Sequence, residues 1–212
     1  MRHPGPIDRL LTELQHGLNT AHARPANGAS RYPAKPVPEA ELDEQERRHS
    51  AGLMRVNNAG EVAAQGLYRG QAVTARAEAL GESMQQAAVE ENEHLHWCQR
   101  RLDELNARRS LFDGAWYWGS FGIGALAGLA GDKWSLGFVK ETERQVCAHL
   151  DRHLDALPEQ DARSRAIIET MREDEARHAE QAAAAGAAEL PAPVKSLMAM
   201  VSKVMTHTAY RI

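Results

Sequence analysis

Four glutamates in this chain stand where an amphipathic helix needs an apolar residue. Steps of three and four residues keep side chains on one helix face. One such stripe runs Met84, Ala87, Glu91, His94, Cys98, Leu102, Leu105, and another runs Ile168, Met171, Glu175, His178, Ala182, Ala185. A third runs Leu136, Val139, Glu143, Val146, Leu150, Leu154, Leu157, with Glu141 off the stripe, so Glu143 is read as the inward residue. A fourth runs Met54, Asn58, Glu61, Gln65, Tyr68, Ala72. An unpaired carboxylate is very costly to bury, so these groups need a partner inside the core.

The arrangement is doubled. Glu61 precedes Glu91 by 30 residues and Glu143 precedes Glu175 by 32, and each later glutamate opens a Glu-x-x-His. A single Glu-x-x-His is commonplace on a solvated helix face. His96, His149 and His153 show that helical histidines are plentiful here. Two copies on apolar stripes, each preceded by a stripe glutamate at near-equal distance, call for a different explanation. Two such hairpins give a four-helix bundle, and four carboxylates with two imidazoles form the di-iron or di-manganese site of ferritin-like proteins. That donor set suits iron or manganese better than thiolate-loving metals. The reading gives Glu61, Glu91 and His94 to one metal and Glu143, Glu175 and His178 to the other, with Glu91 and Glu175 as bridges.

The rest of the chain fits an all-α fold. The 212 residues suit one domain, and apolar residues at 43% are enough for a core. Aromatics are only 5% while alanine is abundant, which favours close-packed helices over sheets. The periodicity predicts helices over 44–80 (ended near Gly81), 82–107, 133–157, 161–186 and 194–210, with Asp161 as an N-cap and Gly186 as a stop. No stretch reads as a strand. Residues 1–43 contain Pro4, Pro6, Pro25, Pro33, Pro36 and Pro38 and read as an extension or flexible arm, with a short amphipathic helix over Ile7–Leu18. The metal-binding domain then covers 44–212. A net charge of −4 with interspersed signs gives no reason to expect a nucleic-acid partner. Cys98 and Cys147 read as apolar packing in a reducing cytosol, and the N-terminus has no signal-peptide pattern.

One segment stands apart. Ala115 to Ala130 reads AWYWGSFGIGALAGLA, without a charge. It is shorter than the ~20 apolar residues a spanning helix needs. Its glycines and tryptophans suit an interfacial segment, with Trp116, Tyr117, Trp118 and Trp134 near headgroup level. The last helix, with Val194, Leu197, Met198, Val201, Val204 and Met205 beside Lys195 and Lys203, offers a second membrane-facing surface. The competing reading is a connection buried in the core or in an oligomer interface.

The sequence resembles the bacterial demethoxyubiquinone hydroxylases. The stretches that carry the resemblance are GLMRVNNAGEVAAQGLYRGQA (52–72), EENEHLHWC (90–98), SLGFVKETERQVCAHLDRHL (135–154), SRAIIETMREDEARHA (164–179) and the C-terminal LPAPVKSLMAMVSKVMTHTAYRI. Together they cover nearly everything from about residue 40. The resemblance implies a ferritin-like bundle holding two iron ions on Glu61, Glu91, His94, Glu143, Glu175 and His178. It implies a di-iron monooxygenase that uses O2 to hydroxylate 2-polyprenyl-3-methyl-6-methoxy-1,4-benzoquinol in ubiquinone biosynthesis. It also implies a peripheral place on the cytoplasmic face of the bacterial inner membrane, with a quinone-biosynthesis complex as a further expectation; self-association is expected from exposed apolar surface. Asn58 departs from the family pattern, which usually has histidine there, and this bears on hydrogen bonding around the ligands. His149 matches a histidine that recurs near the second iron, and Tyr68 is a further candidate for a hydrogen-bonding or proton-handling role. Two rivals are an iron-oxidising or peroxide-scavenging ferritin-like protein and a non-catalytic lipid-binding member of a quinone-synthesis complex.

Overall fold

The helical periodicity is realised as α1 (Pro6–His22), α2 (Glu44–Thr74), α3 (Glu78–Glu104), α4 (Asp113–Ala130), α5 (Asp132–Ala156), α6 (Ala162–Ala184) and α7 (Ala192–Arg211). This computed structural model describes residues 6–22 and 31–212, and among these there is no strand. Helices α2 and α3 form one hairpin and α5 and α6 the other, giving an all-α ferritin-like bundle. Helix α4 lies along the outside of α2, α1 rests on α4 and α2, and α7 crosses α2 and α5. Among the described residues no helix is long and apolar enough to cross a membrane.

Local chemistry sets the helix ends. Asp43 accepts hydrogen bonds from the Gln45 and Glu46 amides (2.8 Å each), and the Glu46 carboxylate accepts from the Asp43 amide (2.9 Å). This capping box starts α2 at Glu44. Asp161 caps α6 by accepting from the Ser164 amide. Gly186 ends that helix region with φ +92°, a left-handed conformation that glycine adopts without cost.

The first hairpin turns earlier than the sequence suggested. Helix α2 stops at Thr74, not near residue 80, and Gly81 lies inside α3. The cause is distant in sequence: the Asp132 carboxylate accepts from the amides of Arg76 and Ala77, 3.0 Å each. Of the stretch read as an extension or flexible arm, residues 31–43 lie against the bundle. Tyr32 and Ala34 are buried, Tyr32 donates to Glu104, and Arg163 donates to the Val37 carbonyl. The prolines keep this stretch from being helical while its contacts hold it to the bundle. Pro4 and Pro25 lie outside the described residues.

The glycine-rich segment joins the two hairpins but is not buried in the core. It is helix α4, and its glycines let its backbone meet that of α2. A Cβ at Gly66 would sit 2.3 Å from the Tyr117 carbonyl oxygen, and one at Gly70 2.1 Å from that of Phe121. A Cβ at Gly124 would sit 2.1 Å from the Leu67 carbonyl oxygen. Paired small residues four apart are the usual device for such close helix contact. The far side of α4 stays open, with Leu126 68% and Leu129 61% exposed.

Two apolar plugs bracket the bundle's middle. Met54, Cys98, Leu150, Ile168 and Met171 belong to one, and Tyr68, Met84, Ala88, Val139 and Ala182 to the other. On every bundle helix the stripe glutamate lies in sequence between a member of each plug, which places Glu61, Glu91, Glu143 and Glu175 in one layer.

Candidate metal centre

Each bundle helix delivers one glutamate to that layer, and all four are essentially removed from water. Ligand atoms of Glu61, Glu91, His94 and Glu175 lie within 4.8 Å of one another. His94 Nδ1 faces Glu91 Oε2 at 3.0 Å, Glu175 Oε1 at 3.1 Å and Glu61 Oε2 at 3.8 Å. His178 Nδ1 faces Glu91 Oε1 at 3.2 Å and Glu175 Oε2 at 3.3 Å. Glu91 and Glu175 thus each turn one oxygen to either histidine. Glu143 contacts Glu175 and accepts the phenol proton of Tyr68. One imidazole nitrogen has at most one proton to donate, so several carboxylate oxygens crowded around it mark places for cations.

The electrostatics agree. Burial pushes the Glu61 and Glu143 carboxyls well above the usual range, and neighbouring carboxylates push them further. Burial also pushes Glu91 up, but His94 and the hydrogen bonds from both histidines outweigh it and hold Glu91 low. Burial disfavours charge on His178, yet Glu175 and Glu91 raise it to about 11. His94 is raised well above its ordinary value, with Glu91, Asp174 and Glu175 overcoming burial. Protons stabilise this cluster only by occupying the very lone pairs a metal would use.

The other face of each histidine carries the less expected feature. His94 Nε2 lies 2.9 Å from Asp174 Oδ2, and His178 Nε2 lies 3.3 Å from Glu90 Oε2. Each acid immediately precedes the stripe glutamate of the opposite hairpin. A carboxylate behind a ligating imidazole fixes its tautomer and orientation and raises its basicity. The sequence reading passed over both acids. The signal was the paired acids at 90–91 and 174–175, but a partner in the other hairpin cannot be read from one helix. Cys98 points its thiol at Met171 Sδ, 3.8 Å away, and packs in the core.

Residues 48–209 match the model of the family described as Ubiquinone biosynthesis protein COQ7. The chain belongs to that family. Similar proteins called 3-demethoxyubiquinol 3-hydroxylase agree along nearly the whole chain. That of Chromobacterium violaceum is 55% identical over 206 residues, 97% of this chain and 100% of its own. That of Nitrosococcus oceani is 56% identical over 211 residues, 100% of this chain and 99% of its own. That of Xanthomonas euvesicatoria pv. vesicatoria is 57% identical over 208 residues, 98% of this chain and 95% of its own.

Within this COQ7-family chain the remaining candidates separate. Tyr68 does touch the cluster, through Glu143. His149 makes no hydrogen bond to any of the six residues, and its ring lies against that of His153, centroids 3.9 Å apart and planes tilted by 59°. Asn58 is fully buried and donates to Asp113 Oδ2 at 3.2 Å. It ties the start of α4 to α2, one turn from Glu61, without touching the cluster. Burial pushes the Asp113 carboxyl up to about 6.

Proposed function

We propose that this chain is a 3-demethoxyubiquinol 3-hydroxylase. It hydroxylates the ring of 2-polyprenyl-3-methyl-6-methoxy-1,4-benzoquinol with O2, using two iron ions held by Glu61, Glu91, His94, Glu143, Glu175 and His178. The observation that carries the reading is the convergence of these six side chains from four helices, with each histidine backed by an acid of the opposite hairpin. Charge supports the stoichiometry: four carboxylates balance two divalent cations. The oxygen and nitrogen donors and the absence of a thiolate among the six suit iron.

When bound, the two metals supply the redox chemistry of oxygen activation. The protein's own residues do the rest. Glu91 and Glu175, each turned toward both histidines, would hold both metals. Asp174 and Glu90 hold the imidazoles with their Nδ1 atoms inward. Tyr68 holds Glu143 by donating its phenol proton. The apolar plugs on either side keep water out. The exposed apolar faces of α4 and α7 support a peripheral site on the cytoplasmic face of the inner membrane, where the prenyl tail stays in lipid while the ring enters the bundle.

The test is mass spectrometry of the quinone pool in a bacterium lacking its own hydroxylase. The intact chain is expected to convert the accumulated demethoxy-quinone to ubiquinone, and Glu175→Ala is not. Conversion by both would remove the carboxylate cluster from the mechanism. Conversion by neither, with both folded, would remove the substrate assignment.

A further inference from the structure

A groove of about 980 Å³ runs between α5 and α7, behind the face of α5 that carries Glu143. Its charge runs against that of the chain. The whole sequence has a net charge of −4. The groove is lined by Arg144 and Arg152 from α5 and by Lys195, Lys203 and Arg211 from α7, with Glu141 as the one acid among the described lining residues. Glu141 is already engaged, accepting from Arg144 at 2.7 and 3.0 Å and from Gln145 at 2.7 Å. Lys195 is engaged by Glu189 at 3.0 Å. That leaves Arg152 and Lys203 without an ion pair among the described residues, while Arg211 donates only to the His207 carbonyl. Like charges gathered along one groove repel one another, so an arrangement of this kind is relieved by an anion.

The groove floor makes the same point by other means. His149 and His153 both line it, their rings in tilted contact, and His153 is only 7% exposed. His149 Nε2 and His153 Nδ1 are buried without a hydrogen-bond partner. A buried polar atom left unpaired costs about 1–3 kcal/mol. Burial and the adjacent Arg152 hold both rings neutral, so each keeps one N–H to donate and one lone pair. Guanidinium forks, an ammonium and imidazole N–H groups around a concave site are the donors that recognise phosphate oxygens. The face of α7 turned away from the groove carries Leu197, Met200, Val201 and Val204, all 44–57% exposed.

We propose that the α5–α7 groove binds a phosphate-bearing anion, separately from the metal centre. The phosphate sits among Arg152, Lys203 and Arg211, above the His149–His153 pair. It comes either from an anionic phospholipid, whose chains follow the apolar face of α7, or from a soluble phosphate ester. This holds whether or not the metal centre hydroxylates a quinol, because none of the groove cations touches the cluster.

The test uses the full chain and two probes. One is glycerol 1-phosphate followed by titration calorimetry. The other is sedimentation with phosphatidylcholine vesicles that do or do not contain phosphatidylglycerol. The groove variant is Arg152→Gln/Lys203→Gln/Arg211→Gln. The control, Arg31→Gln/Lys35→Gln/Arg48→Gln, makes the same change of charge elsewhere. Circular dichroism checks that both fold. Wild type is expected to bind at least one probe, with affinity falling at least tenfold in the groove variant and less than twofold in the control. Binding to phosphatidylglycerol vesicles alone, or much more tightly, assigns the lipid source, and binding to glycerol 1-phosphate alone assigns the soluble one. Absence of binding to both probes overturns the proposal, as does an equal loss in the two variants, which would make the attraction a general one.

Discussion

The bundle buries two clusters of charge, and they solve the same problem in opposite ways. Near one end, Arg101 is fully buried and donates to Asp161 at 2.9 Å, to Ser164 at 2.9 Å, to Glu39 at 2.8 and 2.9 Å and to Glu104 at 3.2 Å. Arg163 closes the network by donating to the same Glu104 at 2.8 and 3.2 Å. Here the charges settle one another. Burial pushes Glu104 up, but hydrogen bonds from Arg163, Tyr32 and Arg101 outweigh it and hold its carboxyl low. In the middle of the bundle four carboxylates face two histidines, and Glu61 and Glu143 are held as acids well above their usual range. A self-neutralised cluster pins the fold. A cluster with surplus carboxylate could hold cations.

The largest effect that would break this contrast is on chemistry. Glu175→Ala is expected to lower quinol hydroxylation by at least ~1,000-fold, since on the proposed function it removes a ligand of both metals. Elemental analysis should show less than the wild-type iron content. Next comes Arg101→Met, expected to cost about 3–5 kcal/mol in urea unfolding because Asp161 is left buried without its partner. Iron-to-protein ratio in the surviving folded fraction should stay at the wild-type value. Asp174→Asn is expected to weaken iron binding by about 10–100-fold, read by chelator competition. Glu90→Gln should do less, because Glu90 is half exposed and Asp174 only 19%.

The smaller effects have opposite signs in the two clusters. In metal-free protein Glu61→Gln should stabilise by about 1 kcal/mol, since it removes a carboxylate whose burial is unfavourable. A destabilised metal-free Glu61→Gln variant would show that the cluster already holds itself together. The same sign governs pH. A carboxyl raised in the folded state contributes stability below its unfolded value and loses it as pH rises. The stabilisation by Glu61→Gln should therefore shrink as pH falls toward the ordinary glutamate range. The contribution of Glu104, whose carboxyl is held low, is present above that range and lost as pH falls through the depressed value. Urea midpoints across pH 4–8 would separate the two.

Much of the central layer was legible because burial and periodicity are local. A glutamate on an apolar stripe is anomalous within one helix, and four such anomalies with doubled spacing locate the cluster. What escaped depends on surfaces that meet only after folding. Arg101 lies three residues after Cys98, on the same stripe, yet nothing within α3 announces Asp161 or Glu39 as its partners. The turn at Ala75 is set by Asp132, far along the chain. The glycines of α4 were visible, but their reason lies in Gly66 and Gly70 on α2, and a composition argument sees only that such a segment is unusual. His149 shares a helix with Glu143, but six residues at ~100° each turn it about 120° away, off the stripe and toward the groove.

The crossed acids behind the histidines have a consequence for ancestry. Each hairpin supplies the group that orients the other hairpin's imidazole, so neither alone contains one correctly supported histidine. If the two halves descend from a single duplicated hairpin, the unit on which selection could first act was a pair of identical hairpins related by a two-fold axis. In such a dimer one inherited acid serves both sites at once. Fusion of the two copies would then free them to diverge, and Asp174 and Glu90 do differ in length and exposure while facing equivalent histidines.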